Sequence, residues 1–298
     1  MAAHTVWGAP PAPRPAGWSP PRRTVDVVAS KTAYGRGEAY DVIEHNRGQQ
    51  RDVPIFVSKP NVVAFDRHTP PDQWPCDRVD VPQVPGAFVI RNALTPSECE
   101  QILAVSEAMG YSEDAPVSLG RDIRQNESCT WIADDTLRDP IYARVRRLLP
   151  PEVNGGAVAG LNGRFRLYKY NTHDLFKPHT DGSWPGTAVV NGRVAQDAHG
   201  DRWSQMTFLV YLNDDMEGGE TTFHLIENDD DSCPVGGGEG GGGGGGGRRR
   251  RVVRGVKASQ GSILCFFHGE HPLSPLHEGS LVTAGTKYVV RTDVLYML

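Results

Sequence analysis

The segment Phe176-Lys177-Pro178-His179-Thr180-Asp181-Gly182 places a histidine and an aspartate two positions apart. Alternate residues of a β-strand point to the same face, so an imidazole and a carboxylate at this spacing can reach one metal ion. A second pair with the same spacing, His199 and Asp201, lies in a stretch whose glycine and aspartates are typical of a loop. We therefore expect His179 and Asp181, on a strand, to be neighbouring ligands of a metal site.

Three histidines further along the chain, His268, His271 and His277, are candidates for a third ligand. The first two flank Gly-Glu and precede a proline, as in a turn, whereas His277 is followed ten residues later by Lys287. Two histidines and one carboxylate leave coordination positions open on the metal, which is typical of non-haem Fe(II) oxygenases. A lone lysine on a strand is usually a surface residue, but a buried Lys287 can pair with the distal carboxylate of a cosubstrate that chelates the iron.

The elements around these motifs predict a mainly β domain with flanking helices, an α+β arrangement. Thr95-Pro96-Ser97-Glu98 predicts a helix start with a capping box and a proline at the first helical position, and the helix is expected to end at Gly110. A second helix is predicted to open at Asp139-Pro140. Strand-like runs bounded by turn residues occupy 86–90, 165–170, 206–212, 263–267 and 288–296. Two helices followed by many short strands favour a sandwich or barrel with a helical flank.

The 298 residues divide by composition into two parts. Residues 1–83 are expected to be a Pro-rich, partly disordered N-terminal extension, and residues 84–298 the folded domain, with a Gly/Arg-rich insertion at 232–254. Gly236–Gly247 is glycine except for one glutamate, and Arg248–Arg251 follow. Because such a tract buries little surface on folding, we interpret it as a flexible surface loop rather than a basic arm for an anionic partner.

Charge and hydropathy exclude several classes of function. Lysine plus arginine number 31 against 36 acidic residues, a net charge of −5, so no nucleic-acid partner is expected. The chain lacks a run of 18 apolar residues and an apolar signal region, so no membrane association is expected either. Five cysteines without a C-x-x-C pattern favour free thiols in a reducing compartment, and hence a cytoplasmic or nuclear location. The oligomeric state stays open.

Several motifs, taken in order, resemble one family, the prolyl 4-hydroxylase-type Fe(II)/2-oxoglutarate-dependent dioxygenases. The resemblance extends over about residues 84–298. The motifs are Tyr170-x8-His179-x-Asp181, Tyr211-Leu-Asn, Gly218-Gly-Glu-Thr221 and His277-x-Gly279-x5-Gly285-x-Lys287.

This resemblance implies a double-stranded β-helix (jelly-roll) core and a set of site residues. Those implied as catalytic iron ligands are His179, Asp181 and His277, and those implied to bind the cosubstrate are Lys287, Tyr170 and Thr221. Lys287 and the Tyr170 hydroxyl would bind the C5 carboxylate, for which Arg291, on the same strand face as Lys287, is an alternative partner. The implied cofactors are Fe(II), 2-oxoglutarate and O₂, with L-ascorbate as a further candidate. The implied reaction hydroxylates a C–H bond of a peptidyl, including prolyl, or small-molecule substrate and releases succinate and CO₂.

One departure from the family pattern leaves the prolyl substrate open. Members that act on peptidyl proline often carry an arginine just before the strand of Thr207, whereas this chain has Ser204 there and Arg202 two residues earlier. Two other functions are alternatives: a catalytically silent jelly-roll binding module, and a zinc-dependent hydrolase that uses the same three ligands. The hydrolase would need neither Lys287 nor O₂.

Overall fold

The computed structural model describes residues 3–9, 34–48, 51–113, 123–228 and 249–298. Most of the predicted N-terminal extension before residue 34 and the glycine tract of the insertion lie outside the described residues, so the expectations for them stay predictions.

The strands of the described ranges are numbered in chain order. The first ten are β1 (Ala3–Trp7), β2 (Tyr40–Arg47), β3 (Asp52–Ser58), β4 (Asp77–Asp80), β5 (Phe88–Arg91), β6 (Arg124–Gln125), β7 (Glu127–Ile132), β8 (Glu152–Val153), β9 (Gly156–Leu161) and β10 (Arg164–Tyr170). The others are β11 (Leu175–His179), β12 (Ala188–Val190), β13 (Arg193–Ala195), β14 (Arg202–Tyr211), β15 (Glu217–Gly218), β16 (Thr221–Asn228), β17 (Arg249–Val256), β18 (Ile263–Phe267), β19 (His277–Gly279), β20 (Val282–Ala284) and β21 (Lys287–Met297).

In the described ranges, two α-helices, α1 (Pro96–Met109) and α2 (Asp135–Val145), accompany the strands, together with short 3₁₀ turns at Pro71–Gln73 and Arg146–Leu148. The predicted start of α1 is confirmed: the Thr95 hydroxyl accepts from the Glu98 backbone N–H at 3.2 Å, and the Glu98 carboxylate accepts from the Thr95 N–H at 2.9 Å. None of the helices in the described residues is long and apolar enough to cross a membrane.

Helix α2 begins earlier than the sequence analysis expected. Asp134, not Asp139, is its N-cap, and its side chain accepts a hydrogen bond from the Leu137 N–H at 3.1 Å. Pro140 therefore lies inside the helix rather than at its start. The prediction was wrong because an acid followed by proline matches a helix start locally, while the cap that organises this helix lies five residues upstream.

Eight antiparallel strands form the core of two larger, facing sheets. The large sheet contains the order β10-β21-β14-β18, and the smaller sheet contains β11-β19-β16-β17. Along the chain, β10 lies in the large sheet, β11 in the small one and β14 in the large one. The chain then forms β16 and β17 in the small sheet, β18 in the large one, β19 in the small one and β21 in the large one. This strand order is that of a double-stranded β-helix, or jelly roll, and the predicted fold class is confirmed.

Residue alternation along β21 separates a helix-facing core from a cavity-facing surface. Val290 and Val294 join the cluster that includes residues of α1 and α2, whereas Val289 packs between the two sheets. By the period of two, Lys287 and Arg291 share the side of Val289. Polar residues therefore line the space between the sheets without disturbing the main core.

The main core also includes residues from before position 84. Tyr40, Phe56 and Trp74 are buried in the same cluster as the helices. Strand β3 pairs with β2 and, in parallel, with β7, and so extends the large sheet. Among the described residues, the hydrophobic core therefore crosses the expected domain boundary.

Four of the five cysteines lie in the described residues, and all four are free thiols buried in the protein: Cys76, Cys99, Cys129 and Cys265. For these four, the expectation of unpaired thiols is confirmed.

A buried ion pair joins both helices to the preceding segment. Arg144 donates to both carboxylate oxygens of Glu98 at 2.8 Å, and its guanidinium lies 3.4 Å from the Trp74 ring centroid.

Glu98→Gln is expected to lower the free energy of unfolding by about 3–5 kcal/mol, because it leaves the buried Arg144 without a counter-charge. Urea denaturation measures this change. Asp41→Asn, which breaks an exposed pair with Lys59, should cost under about 1 kcal/mol, and equal costs would contradict this reasoning.

Candidate metal and cosubstrate site

The jelly roll brings His179, Asp181 and His277 together between its sheets. His179, the last residue of β11, is the register partner of His277, the first residue of β19. Their ring centroids are 4.3 Å apart, and the donor atoms of the three residues lie within 4.8 Å of one another. The sequence analysis expected Asp181 on the strand, but the structure has it two residues past the end of β11. Across the described ranges, no second group of three histidine, cysteine or acidic side chains converges in this way.

Both imidazoles present the Nε2 atom to the shared space. The Nδ1 of His179 lies 2.8 Å from the Lys177 carbonyl oxygen, and the Nδ1 of His277 lies 3.2 Å from that of Pro275. With Nδ1–H donating to a carbonyl, the Nε2 lone pair is free to bind a metal. Burial lowers the pKa of His179 to about 4 and also lowers the pKa of His277, so both rings are neutral at pH 7, the form that ligates.

Asp181 is held as a buried anion. Burial alone would raise its pKa, but the positive charge of Arg291, whose Nη1 is 3.1 Å from Oδ1, and the hydrogen bond from Thr207 shift the pKa well below its usual range. The Thr207 hydroxyl donates to the other oxygen, Oδ2, at 2.7 Å. The carboxylate is therefore oriented by two groups that the sequence analysis did not place beside it.

A hydrogen-bond chain supports Thr207 from the far side. The Thr207 hydroxyl lies 3.0 Å from Nδ1 of His268, whose Nε2 lies 2.9 Å from the Ser204 hydroxyl. Because Thr207 donates its one proton to Asp181, it accepts from His268, and His268 in turn accepts from Ser204. His268 therefore lies behind the carboxylate rather than beside the other two histidines, and His271 stacks on Phe267 at 3.8 Å between ring centroids.

Lys287 is a buried cation without an ionic partner among the described residues. Its ammonium group donates to the Gly219 carbonyl at 2.6 Å and lies 5.6 Å from the ring centroids of Tyr170 and Tyr211. Burial lowers its pKa to about 8, which leaves it mostly protonated at pH 7. Gly219 has φ +68°, and a Cβ there would lie 3.3 Å from the Lys287 side chain, which explains why glycine suits this turn.

The two other predicted cosubstrate residues line the same cavity. Tyr170 on β10 is the register partner of Lys287, and the Thr221 hydroxyl lies 2.9 Å from that of Tyr211. The cavity has a volume of about 280 Å³ and is also lined by the three metal-ligand candidates and Arg291. All six predicted site residues thus converge on one cavity.

The excluded H-x-D pair lies apart from this cavity. Asp201 is half-exposed and forms an ion pair with its neighbour Arg202 at 2.7 Å, and His199 does not line the cavity.

The donor set fits the cofactors that the sequence resemblance implies. Two neutral imidazole nitrogens and one anionic carboxylate suit Fe(II) and occupy one side of it. A buried ammonium with a single hydrogen bond to a carbonyl suits a carboxylate of a cosubstrate.

The chain is 30% identical over 149 residues to the probable prolyl 4-hydroxylase 8 of Arabidopsis thaliana, an alignment that covers 47% of this chain and 45% of the plant protein. The chain thus spans about half the length of the curated relative that it matches. The resemblance to prolyl 4-hydroxylase-type proteins is thereby confirmed. No protein-family model matches the chain.

Two solved structures are similar to the chain at low sequence identity. The viral collagen prolyl hydroxylase from Paramecium bursaria Chlorella virus-1, in its 2-oxoglutarate complex, is 15% identical with a TM-score of 0.42 and covers 71% of this chain and 96% of its own. The prolyl hydroxylase of Trichoplax adhaerens, in complex with a hypoxia inducible factor oxygen degradation domain peptide fragment, is 16% identical with a TM-score of 0.42. This alignment covers 71% of this chain and 83% of the Trichoplax chain.

Removing any one of the three convergent side chains should abolish divalent metal binding. His179→Ala, Asp181→Ala and His277→Ala are each expected to lose the rise in melting temperature that Fe(II), or Co(II) as its spectroscopic substitute, gives the parent protein. His199→Ala removes a histidine of the excluded pair and should bind metal as the parent does. Loss of binding in His199→Ala alone would show that the wrong pair was chosen.

Thr207→Val should weaken metal binding without unfolding the protein. The substitution keeps the shape of the side chain but removes the hydroxyl that orients Asp181 and leaves His268 Nδ1–H without its acceptor, so we expect about a tenfold lower affinity for Co(II). Thr207→Ser, which retains the hydroxyl, is the matched control. Equal affinities of the two variants would show that the hydroxyl does not orient the carboxylate.

Proposed function

We propose that this chain is an Fe(II)- and 2-oxoglutarate-dependent dioxygenase that hydroxylates a C–H bond of a peptide or small-molecule substrate and releases succinate and CO₂. The observation that carries this proposal is the location of Lys287 in the same cavity as the metal-ligand candidates. Three convergent ligands alone would suit several metals and reactions, whereas a buried ammonium beside them suits a cosubstrate with a free carboxylate.

Each protein group has a separate task in this reaction. His179, Asp181 and His277 would hold the iron on one side and leave the other side open. Fe(II) with O₂ and a 2-oxo acid supplies the oxidising power for C–H hydroxylation. Lys287 would bind the C5 carboxylate of 2-oxoglutarate, and the two facing sheets would exclude bulk water.

Tyr170 and Thr221 would complete the cosubstrate pocket. Tyr170 lies across from Lys287 in the sheet register, so its hydroxyl is suited to the same C5 carboxylate. Thr221 is fixed by the Tyr211 hydroxyl and would line the wall of the pocket. L-Ascorbate, as a reductant for iron, is a further candidate requirement.

The prolyl nature of the substrate is not part of this proposal. Ser204 occupies the position where relatives acting on peptidyl proline often have an arginine, and its hydroxyl is engaged with His268. The region that could recognise a peptide therefore differs from the expected pattern.

The proposal is tested by measuring succinate from 2-oxoglutarate in the presence of Fe(II), with and without O₂. Succinate formed only with both Fe(II) and O₂ supports it. A silent binding module would form no succinate, and a zinc hydrolase would be active with Zn²⁺ in the absence of O₂. Either result would exclude the dioxygenase.

Lys287→Ala should raise the KM for 2-oxoglutarate by about tenfold to a hundredfold, because a charge-assisted hydrogen bond in a buried site contributes about 1.5–3 kcal/mol. Succinate release measured against 2-oxoglutarate concentration gives this value, and metal binding should be retained. Lys257→Ala removes an exposed lysine and is the matched control. If Arg291→Ala raises the KM and Lys287→Ala does not, Arg291 is the carboxylate partner instead.

A further inference from the structure

The cavity wall contains a cluster of buried donor atoms that have no hydrogen-bond acceptor among the described residues. The atoms are Nη2 of Arg124, Nε and Nη2 of Arg166, Nε1 of Trp184 and Nε of Arg291. Buried polar atoms are nearly always hydrogen-bonded, since leaving one unpaired costs about 1–3 kcal/mol. Unpaired donors with three guanidinium groups among them, all at one cavity, therefore point to a ligand that accepts hydrogen bonds.

The strand register explains why these groups converge. Arg166 on β10 and Arg291 on β21 are register partners, so their side chains leave adjacent strands on the same face. Arg124, on β6, pairs with Phe176 of β11, and its guanidinium lies 4.3 Å from the Tyr168 ring centroid. Tyr168 is two residues beyond Arg166 and shares its face.

The nearby carboxylates satisfy these cations only in part. Asp293 lies 3.6 Å from Nη2 of Arg166 and 3.4 Å from Nη2 of Arg291, too far for strong hydrogen bonds. Asp181 pairs with Nη1 of Arg291 at 3.1 Å, which leaves Nε of Arg291 without an acceptor among the described residues. An anion brought by a ligand would supply the missing acceptors.

The pKa of the Tyr168 phenol responds to the positive charge of the same three arginines. Burial raises the pKa of Tyr168, yet the positive charges of Arg124, Arg166 and Arg291 lower it to about 7. Burial and the neighbouring Arg166 also lower the pKa of Arg164 to about 10. The Tyr168 shift reports the positive charge of the three arginines, whereas the Arg164 shift is mainly an effect of burial.

We propose that this wall, formed by Arg124, Arg166 and Arg291, binds an oxyanion group of the substrate, so that the hydroxylated compound is a small acid. This inference rests on the proposed dioxygenase function and specifies its substrate class. A carboxylate, phosphate or sulfate group has acceptor oxygens that match guanidinium donors. A prolyl residue within a neutral peptide has no such group. Trp184, Tyr168 and Phe176 provide apolar surface for the rest of the molecule.

The oxyanion site is distinct from the position of Lys287. Arg291 lies four residues along β21 from Lys287, a Cα separation of about 13 Å in an extended strand. A cosubstrate bound to Lys287 and chelated to the metal has both of its carboxylates engaged. The arginines then remain available to the substrate.

The test measures anion binding to protein loaded with Mn(II) and N-oxalylglycine, a non-reactive analogue of 2-oxoglutarate. Sulfate and acetate are titrated against chloride at equal ionic strength, and the melting temperature and tryptophan fluorescence are recorded. We expect saturable binding of sulfate, acetate or both. Preference for sulfate would indicate a phosphate- or sulfate-bearing substrate, and preference for acetate a carboxylic acid.

Variants identify the residues responsible for this binding. Arg166→Gln and Arg124→Gln should each weaken it by about tenfold or more, the loss of one charge-assisted hydrogen bond in a buried site. Arg193→Gln removes the same charge from an exposed strand and should leave binding unchanged. If Arg166→Gln does not fold, as judged by circular dichroism, anion binding by Arg124→Gln is compared with that of Arg193→Gln instead.

Two results would overturn the inference. One is binding of sulfate and acetate no stronger than that of chloride, or equal binding by the arginine variants and Arg193→Gln. The other is anion binding to protein that holds Mn(II) alone but not to protein that also holds N-oxalylglycine, which would assign the arginines to the cosubstrate pocket and leave the dioxygenase proposal intact. If Mn(II) and N-oxalylglycine do not raise the melting temperature, the dioxygenase proposal itself fails, whether or not anions bind.

Discussion

The pairing of β11 with β19 is the constraint on which the site depends. It places His179 opposite His277 and brings Asp181 against both rings. The buried carboxylate must be stabilised before a metal binds: Arg291 balances its charge, and the Thr207 hydroxyl donates a hydrogen bond to it. The imidazoles contribute by staying neutral, because burial disfavours their protonated forms.

The metal-ligand candidates could be predicted from sequence because the relevant residues occur in short motifs. The H-x-D spacing, and the histidine followed ten residues later by a lysine, are short patterns that can be recognised in the sequence, although Asp181 lies just past β11 and Lys287 lies on a different strand from His277. The capping box at Thr95 is local in the same sense, since all of its hydrogen bonds lie within four residues. The fold class followed from the order of these motifs rather than from any one of them.

The residues that support the site could not be found in this way. Thr207, His268, Arg124 and Arg166 come from four different parts of the chain and meet only through strand register and sheet packing. A threonine on a β-strand is ordinary, and a histidine in a turn-like segment resembles a surface residue. The start of α2 was misplaced for a different reason, because the proline signal at Asp139-Pro140 was preferred to the N-cap at Asp134, five residues upstream.

The wall formed by Arg124, Arg166 and Arg291 contains buried cationic side chains whose hydrogen-bond donors are partly unpaired. The buried Arg144 has both oxygens of the Glu98 carboxylate as acceptors, whereas guanidinium donors beside the metal-ligand candidates have no acceptor among the described residues. Three arginines around one phenol repel one another, and this repulsion lowers the stability of the folded chain. Functional sites often contain such destabilising arrangements. Here a bound anion would reduce the repulsion, and it would form hydrogen bonds with donors that are already oriented and desolvated. The same charges disfavour cations and give neutral molecules no comparable gain, so the wall selects for acidity before any contact specific to a particular substrate is made.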